Sequence, residues 1–243
     1  MSLPDVATLL RVRDATWPAA EVRHCGPVIL RAGGGGGNRV SAASLTGAFT
    51  DADLDAAESD MRAMGQPRLF TLAQSEQALD AALAERGYGI RDATWIYAAP
   101  IDLIAANPPP VTTFDVWPPL AVQADIWAEG GIGPARLAVM HRTAGPKTTI
   151  LGRINDRPAG TVFVAVAEGC AMIHALEIAP RDRRQGLARN LTQACARWGQ
   201  ANGASWLTLL TTVSNAASNA LYASLGMRIV GRYHYRIHPE DAM

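Results

Sequence analysis

The hydrophobic and polar positions change their period repeatedly after residue 120, and each change predicts a new element. Apolar residues recur at helical spacing from Leu120 to Glu129 and from Pro134 to Arg142, with Gly130-Gly131 as a break between the two helices. Apolar and polar residues then alternate, with many β-branched side chains, from Thr148 to Asn155 and from Ala159 to Ala167. This alternation predicts two strands that pair as an antiparallel hairpin.

The rest of the chain predicts a further series of strands and helices. We expect a turn at Asp156-Arg157-Pro158 to close the hairpin, because these residue types favour turns. The later elements are, in order, a strand at Cys170 to Ala179, a helix from Leu187 to about Asn202, a strand at Trp206 to Thr211, a helix at Asn215 to Leu225 and a strand at Arg228 to Ile237. The pattern therefore predicts a domain that contains both helices and strands.

A proline-rich stretch, Asn107-Pro108-Pro109-Pro110, precedes these elements. Consecutive prolines can continue neither a helix nor a central strand, so the stretch is typical of a linker. The chain has 243 residues, and at roughly 100 to 200 residues per domain this length allows two domains. We expect one domain over residues 1–106 and a second over residues 107–243.

The N-terminal half contains a faint copy of a later segment. A shift of 139 residues aligns Ser75 to Ile90 with Ser214 to Ile229 and places Gly87 on Gly226. Either a duplication or a chance similarity between two helix-glycine-strand units would give such a match.

Charge and composition narrow the classes of function. Lys and Arg total 22 and Asp and Glu total 22, so the formal net charge is zero and no global field attracts a nucleic acid. The longest apolar run, Gly160 to Leu176, is interrupted by Glu168 and His174 and is too short for a membrane helix. The N-terminus lacks a secretory signal pattern, and three widely spaced cysteines form no disulfide framework, so we expect a cytoplasmic protein. The histidines show no metal-ligand spacing, and we assign no metal site.

The chemistry concentrates where the strand ending near Ile178 passes through an arginine- and glycine-rich turn into a helix. A helix N-terminus presents unpaired N–H groups and partial positive charge, and Gly186 lets an anion approach the backbone without a Cβ in the way. The turn therefore predicts a cradle for a phosphate or pyrophosphate group.

Two motifs at this spacing resemble the cofactor-binding motifs of the GCN5-related N-acetyltransferase (GNAT) superfamily. Arg183-Arg184-Gln185-Gly186-Leu187-Ala188 resembles its Q/R-x-x-G-x-G/A loop. Asn215-Ala-Ala-Ser-Asn-Ala-Leu-Tyr222-Ala-Ser-Leu-Gly226-Met227 resembles its N-x-x-A-x-x-L-Y-x-x-L-G-F segment, with Met227 in place of Phe. The resemblance covers about residues 112–240 and is faint in the N-terminal half.

The resemblance implies a fold and an activity. The fold would be α/β (α+β), with tandem acetyltransferase-like domains, each a mixed, mostly antiparallel central sheet flanked by helices, and a splayed strand pair in the C-terminal domain. The activity would be acetyl-CoA-dependent transfer of an acetyl group directly to an amine on a small molecule or a protein. We expect a monomer or homodimer, and neither a nucleic-acid nor a membrane partner.

The family's roles transfer to matching positions of this chain. Backbone N–H groups of the splayed strand would hold the acetyl carbonyl and the pantetheine arm, the turn would bind the pyrophosphate, Asn215 would hydrogen-bond the cofactor, and Tyr222 would protonate the leaving thiolate. The residues implied to bind the cofactor are Leu176, Glu177, Ile178, Arg183, Arg184, Gln185, Gly186, Leu187, Ala188, Arg189, Asn215 and Tyr222.

The acceptor of the amine proton is harder to place. Some family members use a glutamate five residues before the asparagine, where this chain has Leu210. The arylalkylamine acetyltransferases have an H-x-H-A-L pattern on the strand before the loop, and this chain keeps its second histidine as His174. His174 would act as a base or in a water relay, with a packed structural histidine as the alternative. If side chains alternate regularly along the strand, Glu177 would lie on the face opposite to His174. It would then be an ordinary carboxylate, either solvated or paired across strands.

A function of another class is also open. The absent carboxylate at Leu210 would suit a non-enzymatic acyl-CoA sensor or interaction module, whereas the retained Tyr222 favours an enzyme. The N-terminal copy has Leu83 where the alignment puts Tyr222, and it lacks the R-x-x-G-x-A loop. We expect that copy to be inactive as a transferase and to shape the acceptor pocket or replace a dimer partner.

Overall fold

The structure is a computed structural model that describes residues 2–242. The helices are α1 Val6–Thr16, α2 Asn38–Ser41, α3 Asp51–Ala63, α4 Gln77–Glu85, α5 Ile101–Ile104, α6 Ala121–Glu129, α7 Pro134–Arg142, α8 Leu187–Ala201 and α9 Ala216–Ser224. The strands are β1 Glu21–Cys25, β2 Val28–Ala32, β3 Ser44–Leu45, β4 Leu69–Ala73, β5 Gly89–Pro100, β6 Thr113–Val116, β7 Lys147–Ile154, β8 Arg157–Ala167, β9 Cys170–Ile178, β10 Trp206–Thr212 and β11 Arg228–Ile237. No helix among residues 2–242 is long and apolar enough to cross a membrane.

The elements predicted after residue 120 are all present, with small shifts at their ends. The hairpin turn is one correction, because the turn residues with positive φ are Asn155 and Asp156, while Arg157 already begins β8. Strand β6 was not predicted, because its four residues are only partly buried and carry no clear alternation.

The chain packs as two compact units whose bounds differ from the predicted domains. The first unit comprises Met1–Pro18, Ile96–Thr211 and Asn215–Val230, and the second comprises Ala19–Trp95, Thr212–Ser214 and Gly231–Met243. Strands β5 and β11 pass from one unit into the other. Compact packing does not test whether residues 1–106 and 107–243 are two copies of one domain, and that division stays a prediction.

The first unit contains a mixed, mostly antiparallel sheet in the order β5-β10-β9-β8-β7-β6. Strands β6 to β9 pair antiparallel, and β9 pairs with β10 in parallel. Helix α8 lies on one face, where Leu187 approaches Gly160 on β8. Helix α6 lies on the other face, where the Gln123 side chain donates to Thr161 Oγ1. Burial of the apolar side of α8, which includes Leu191, contributes about 1.5–3 kcal/mol for each large side chain.

The second unit contains the antiparallel sheet β1-β2-β3 and the antiparallel pair β4–β11. Its core includes Phe70, Leu79 and Leu83. Leu83, which the repeat aligns with Tyr222, is fully buried in this core.

The 139-residue repeat has a structural counterpart. Both ends of α9 lie 139 residues after the corresponding ends of α4, and the glycines that follow, Gly87 and Gly226, have φ of 81° and 80°. Their N–H groups donate to Ala84 and Ala223, three residues earlier in each case. The two segments therefore end their helices by the same turn and enter a strand at the same distance.

Candidate functional site

A bulge in β9 shapes the first part of the site. Thr161 of β8 pairs with Glu177, but Phe163 pairs with His174, so β9 carries one extra residue between these pairs. Ala175 lies in the bulge with φ of 51°, and its carbonyl accepts a hydrogen bond of 2.7 Å from Trp127 Nε1 of α6. Since Trp127 is fully buried, the indole holds the bulge from the α6 side of the sheet.

Strands β9 and β10 separate next to this bulge. Their parallel register runs from Cys170 and Trp206 to Ile173 and Leu209, whereas β9 continues to Ile178. The end of β9 therefore lies beyond its paired stretch with β10. This is the splayed strand pair that the family resemblance implied.

The turn before α8 contains two residues in the left-handed region. Arg184 has φ of 65°, and Gly186, the N-cap of α8, has φ of 85°. The N–H groups of Arg189 and Asn190 both donate to Gly186 O, so those of the two preceding residues point out of the helix end. A Cβ at Gly186 would meet no other atom of the protein within 4 Å, so the space beside it is open.

These features line one cavity of about 470 Å³ in the first unit. Its lining residues are Leu176, Glu177, Ile178, Asp182, Arg183, Arg184, Gly186, Leu187, Ala188, Arg189, Asn215, Ala217, Ser218, Leu221 and Tyr222. The cavity thus brings together the sequence-predicted site residues, except for Gln185 and His174, which are not among the residues described as lining it. That they bind a cofactor stays a prediction.

The arginines of the turn differ in what they contact. Arg183 donates to Ile178 O at 3.1 Å and to Glu177 Oε1 at 3.0 Å, and Arg189 donates to Ser224 Oγ at 2.7 Å. Within residues 2–242, Arg184 makes no side-chain hydrogen bond or ion pair. Arg184 is therefore the cation of the cavity wall that an anion can engage without breaking an internal contact.

An ion pair between the fully buried Asp182 and the partly exposed Arg157 supports the turn, and it was not predicted from the sequence. Asp182 is fully buried, and its Oδ1 accepts a hydrogen bond of 2.5 Å from Arg157 Nη2 at the start of β8. Arg181 lies 3.4 Å from the other carboxylate oxygen. The one signal in the sequence was an acidic residue within a run of arginines, but its partner Arg157 lies 25 residues away.

Asn215 and Tyr222 bring α9 to the cavity. Asn215 caps the helix, since its Oδ1 accepts from the Ser218 N–H at 3.1 Å. The Tyr222 ring is 5% exposed and lies 5.8 Å from the Tyr97 ring, whose hydroxyl donates to Asn219. Burial, with smaller contributions from Cys195 and Tyr97, raises the pKa of Tyr222, so its hydroxyl stays protonated at neutral pH.

His174 lies in a packed environment. It is 2% exposed, its ring stacks on Trp17 at 5.0 Å, and its Nε2 is 2.8 Å from Thr16 Oγ1. Because the Thr16 hydroxyl donates its proton to Val12 O, His174 Nε2 donates to Thr16. These contacts fit the structural alternative, and a role in proton transfer stays a prediction.

The bulge corrects the expected orientation of Glu177. Regular alternation would put Glu177 and His174 on opposite faces, but they pair with Thr161 and Phe163, which share a face of β8. The extra residue in β9 therefore brings Glu177 to the α6 side of the sheet, the same side as His174.

Comparisons with known proteins agree with this geometry. Residues 112–227 match the family model described as Acetyltransferase (GNAT) family. The chain is 25% identical to the Bacillus subtilis (strain 168) protein named uncharacterized N-acetyltransferase YobR, over 97% of this chain and 99% of that protein. It is 30% identical to aminoglycoside N(6')-acetyltransferase type 1 of Serratia marcescens, over 46% of this chain and 83% of that protein.

The fold is also shared with solved structures. A GCN5-related N-acetyltransferase from Kribbella flavida superposes with a TM-score of 0.73 at 17% identity, over 98% of this chain and 97% of that chain. Structures with this fold include a tandem GNAT protein, and the predicted fold class is confirmed. The chain belongs to the GNAT family of acetyltransferases and is an N-acetyltransferase.

Proposed function

We propose that the protein uses acetyl-CoA as its co-substrate and transfers the acetyl group directly to an amine. One observation carries the proposal: a single cavity is lined by the end of β9, the N-terminus of α8 and Tyr222. Acetyl-CoA would need the β9 backbone and Tyr222 at its thioester, whose sulfur becomes the leaving thiolate, and the α8 N-terminus at its pyrophosphate.

The turn before α8 would bind the pyrophosphate. The N–H groups of Leu187 and Ala188 would donate to phosphate oxygens, helped by the partial positive charge of the helix end. Arg184 would add a cation that has no internal ion pair among residues 2–242. The acetyl and pantetheine end would then extend along Leu176 to Ile178, where β9 has left β10.

The transfer itself would need no covalent enzyme intermediate. The amine lone pair attacks the thioester carbonyl carbon, the C–S bond breaks, and the departing thiolate takes a proton from Tyr222. The attacking nitrogen releases one proton to solvent, and Tyr222 regains a proton from solvent. A phenol whose pKa is raised by burial is a reliable proton donor at neutral pH. Burial also raises the pKa of the Cys195 thiol and that of Cys170, the latter to about 11, which makes both poor nucleophiles.

The amine must lose a proton before it attacks. An alkyl ammonium of pKa about 10.4 is roughly 4 to 5 kcal/mol from its neutral form at pH 7. His174 remains our predicted acceptor of this proton. Because the His174 ring is buried, it would receive the proton through water and not by direct contact with the amine. Solvent is the alternative acceptor.

The acceptor class is an amine on a small molecule or a protein. The Serratia marcescens relative is named for acetylation of an aminoglycoside, so aminoglycosides belong in a first acceptor panel. We further propose a cytoplasmic location, which three free cysteines suit. The N-terminal copy would be inactive, since Leu83 fills the core at the position of Tyr222.

Thiol release from acetyl-CoA, together with detection of the acetylated amine, tests the proposal. We expect the two products to form in equal amounts with at least one amine of a panel. Binding of acetyl-CoA with no thiol release on any amine would favour the alternative of a non-enzymatic acyl-CoA sensor.

A further inference from the structure

The carboxylate of Glu177 has one oxygen without a partner at the wall of the cavity. Oε1 accepts from Arg183 at 3.0 Å, and the Glu177 side chain is 17% exposed. Within residues 2–242, Oε2 makes no hydrogen bond. A carboxylate oxygen at a cavity wall that accepts no internal hydrogen bond can accept one from an ammonium N–H.

Gly130 sets the position of this oxygen. A Cβ at Gly130 would lie 2.6 Å from Glu177 Cδ and 2.7 Å from Oε2, so a side chain there would displace the Glu177 carboxylate from its position. Gly130 has an ordinary φ of −84°, so the close approach to Glu177, and not the backbone conformation, requires the missing side chain. The carboxylate is thus held between the α6 end and Arg183.

The bulge determines on which face of the sheet the Glu177 side chain lies. Glu177 lies on the α6 face, whereas Ile178 pairs with Gly160 on the α8 face, next to Leu187. The turn that would bind the pyrophosphate leads into α8 on the other face, and Arg183 of that turn reaches back to the Glu177 carboxylate. An acceptor that approaches along α6 would therefore meet Glu177 as it reaches the end of the cavity.

We propose that Glu177 binds the acceptor amine and selects acceptors that carry a positive charge. The inference rests on the proposed function, because the carboxylate acts beside the backbone that would hold the acetyl group. The ammonium form donates an N–H to Oε2, loses one proton to solvent or a relay, and attacks the carbonyl carbon as the neutral amine. Glu177 acts as a binding group that orients the nitrogen.

Glu177→Gln tests the charge with a neutral group of the same size. The matched control is Glu85→Gln, which removes an exposed carboxylate on α4. We would measure kcat and KM with spermidine and kanamycin, which are cationic at pH 7.5, and with p-toluidine, which is neutral there. Calorimetry would give the acetyl-CoA Kd of each variant.

The proposal expects Glu177→Gln to lose roughly 10- to 100-fold in kcat/KM for the cationic amines, mainly through KM. The kcat/KM for p-toluidine and the Kd of acetyl-CoA should each change by less than threefold. The Glu85→Gln variant should match the parent in all of these values. Equal losses for charged and neutral amines, or no loss with the cations, would overturn the proposal.

A second pair of variants tests the position without changing a charge. Gly130→Ala forces the Glu177 carboxylate to move, whereas Gly133→Ala, at the start of α7, adds a methyl group to open space at φ of −87°. We expect KM for the cationic amines to rise about tenfold in Gly130→Ala and to stay at the parental value in Gly133→Ala. Equal KM values in the two variants would contradict the assigned contact.

The outcomes also separate this proposal from the proposed function. A parent protein that acetylates p-toluidine but neither cationic amine overturns the role of Glu177 and leaves the acetyltransferase proposal intact. A parent protein that does not bind acetyl-CoA contradicts the proposed function itself, and the inference falls with it.

Discussion

Tyr222 and His174 were both predicted to move protons, and the structure gives them different surroundings. Tyr222 lines the cavity, and burial holds its hydroxyl in the protonated form. His174 packs between Trp17 and Thr16. Residue type and motif position were enough to predict that Tyr222 lies at the site. The packing around His174 involves Thr16 of α1, 158 residues earlier in the chain, and no local sequence pattern shows this contact.

Tyr222→Phe removes the proton donor and keeps the ring. We expect kcat to fall by roughly 10²- to 10⁴-fold, because the thiolate must leave without general acid help. The acetyl-CoA Kd from calorimetry should stay within threefold of the parental value. Tyr97→Phe is the matched control, since its hydroxyl donates to Asn219 and Tyr97 is not among the described lining residues.

The pH profile gives the same prediction a second readout. A raised pKa keeps Tyr222 protonated to well above pH 10, so kcat should show no loss from this group between pH 7 and 9.5. If Tyr222→Phe turns over at the parental rate while chemistry limits, Tyr222 is a packing residue.

Local elements explain most of the site. The helix N-terminus, the glycine and the splay could be predicted from the motif, because they depend on residues close in sequence. The family resemblance implied a bulge near Leu176, but its exact place at Ala175 could not be predicted, because a single extra residue leaves no mark in the hydrophobic pattern. The bulge reversed the predicted face of Glu177. Contacts between residues far apart in the sequence, such as Trp127 with Ala175 and Arg157 with Asp182, could not be predicted either.

Gly186→Val tests the N-terminus of α8 as an anion cradle. A β-branched residue is strained at φ of 85° and adds atoms where the phosphates approach. We expect at least a tenfold rise in acetyl-CoA Kd by calorimetry, with a cooperative thermal transition retained. Gly203→Val carries similar strain at φ of 82° beyond the other end of α8 and should keep the parental Kd. Equal binding by both folded variants would refute the cradle.

Trp127→Phe tests the anchor of the bulge. The substitution keeps an aromatic ring but leaves the partly buried Ala175 carbonyl without its donor, a loss of about 1 kcal/mol. We expect kcat/KM to fall about tenfold, because the bulge positions the backbone beside the acetyl group. Trp198→Phe on α8 is the control. An unchanged kcat/KM in Trp127→Phe would mean that the bulge is held by other contacts.

At the scale of the whole molecule, the chain forms two compact units whose segments interleave along the sequence. The 139-residue repeat predicted one helix-glycine-strand segment in each half, and α4 and α9 match it at both ends. The proline-rich stretch predicted a domain boundary near residue 107. The compact units do not follow this boundary, because Met1–Pro18 and Ile96–Thr211 belong to the same unit. Such long-range packing depends on the assembled sheet, which composition does not show.

The fragment of residues 107–243 should therefore not fold as a stable protein. It lacks α1, which packs Thr16 against His174, and it lacks α5 and the β5 neighbour of β10 in the sheet. We expect no cooperative thermal transition by circular dichroism, in contrast to the full chain. A fragment that unfolds cooperatively near the melting temperature of the full chain would show that the missing elements are dispensable.

Calorimetric titration of the full chain with acetyl-CoA tests the central claim most directly. One half of the tandem carries the cavity with the R-x-x-G-x-A turn and Tyr222, while the other has Leu83 in its core. The account predicts one acetyl-CoA bound per chain, with binding weakened at least tenfold by Gly186→Val. Two equivalent sites per chain, or binding that is unchanged in a folded Gly186→Val protein, would contradict it.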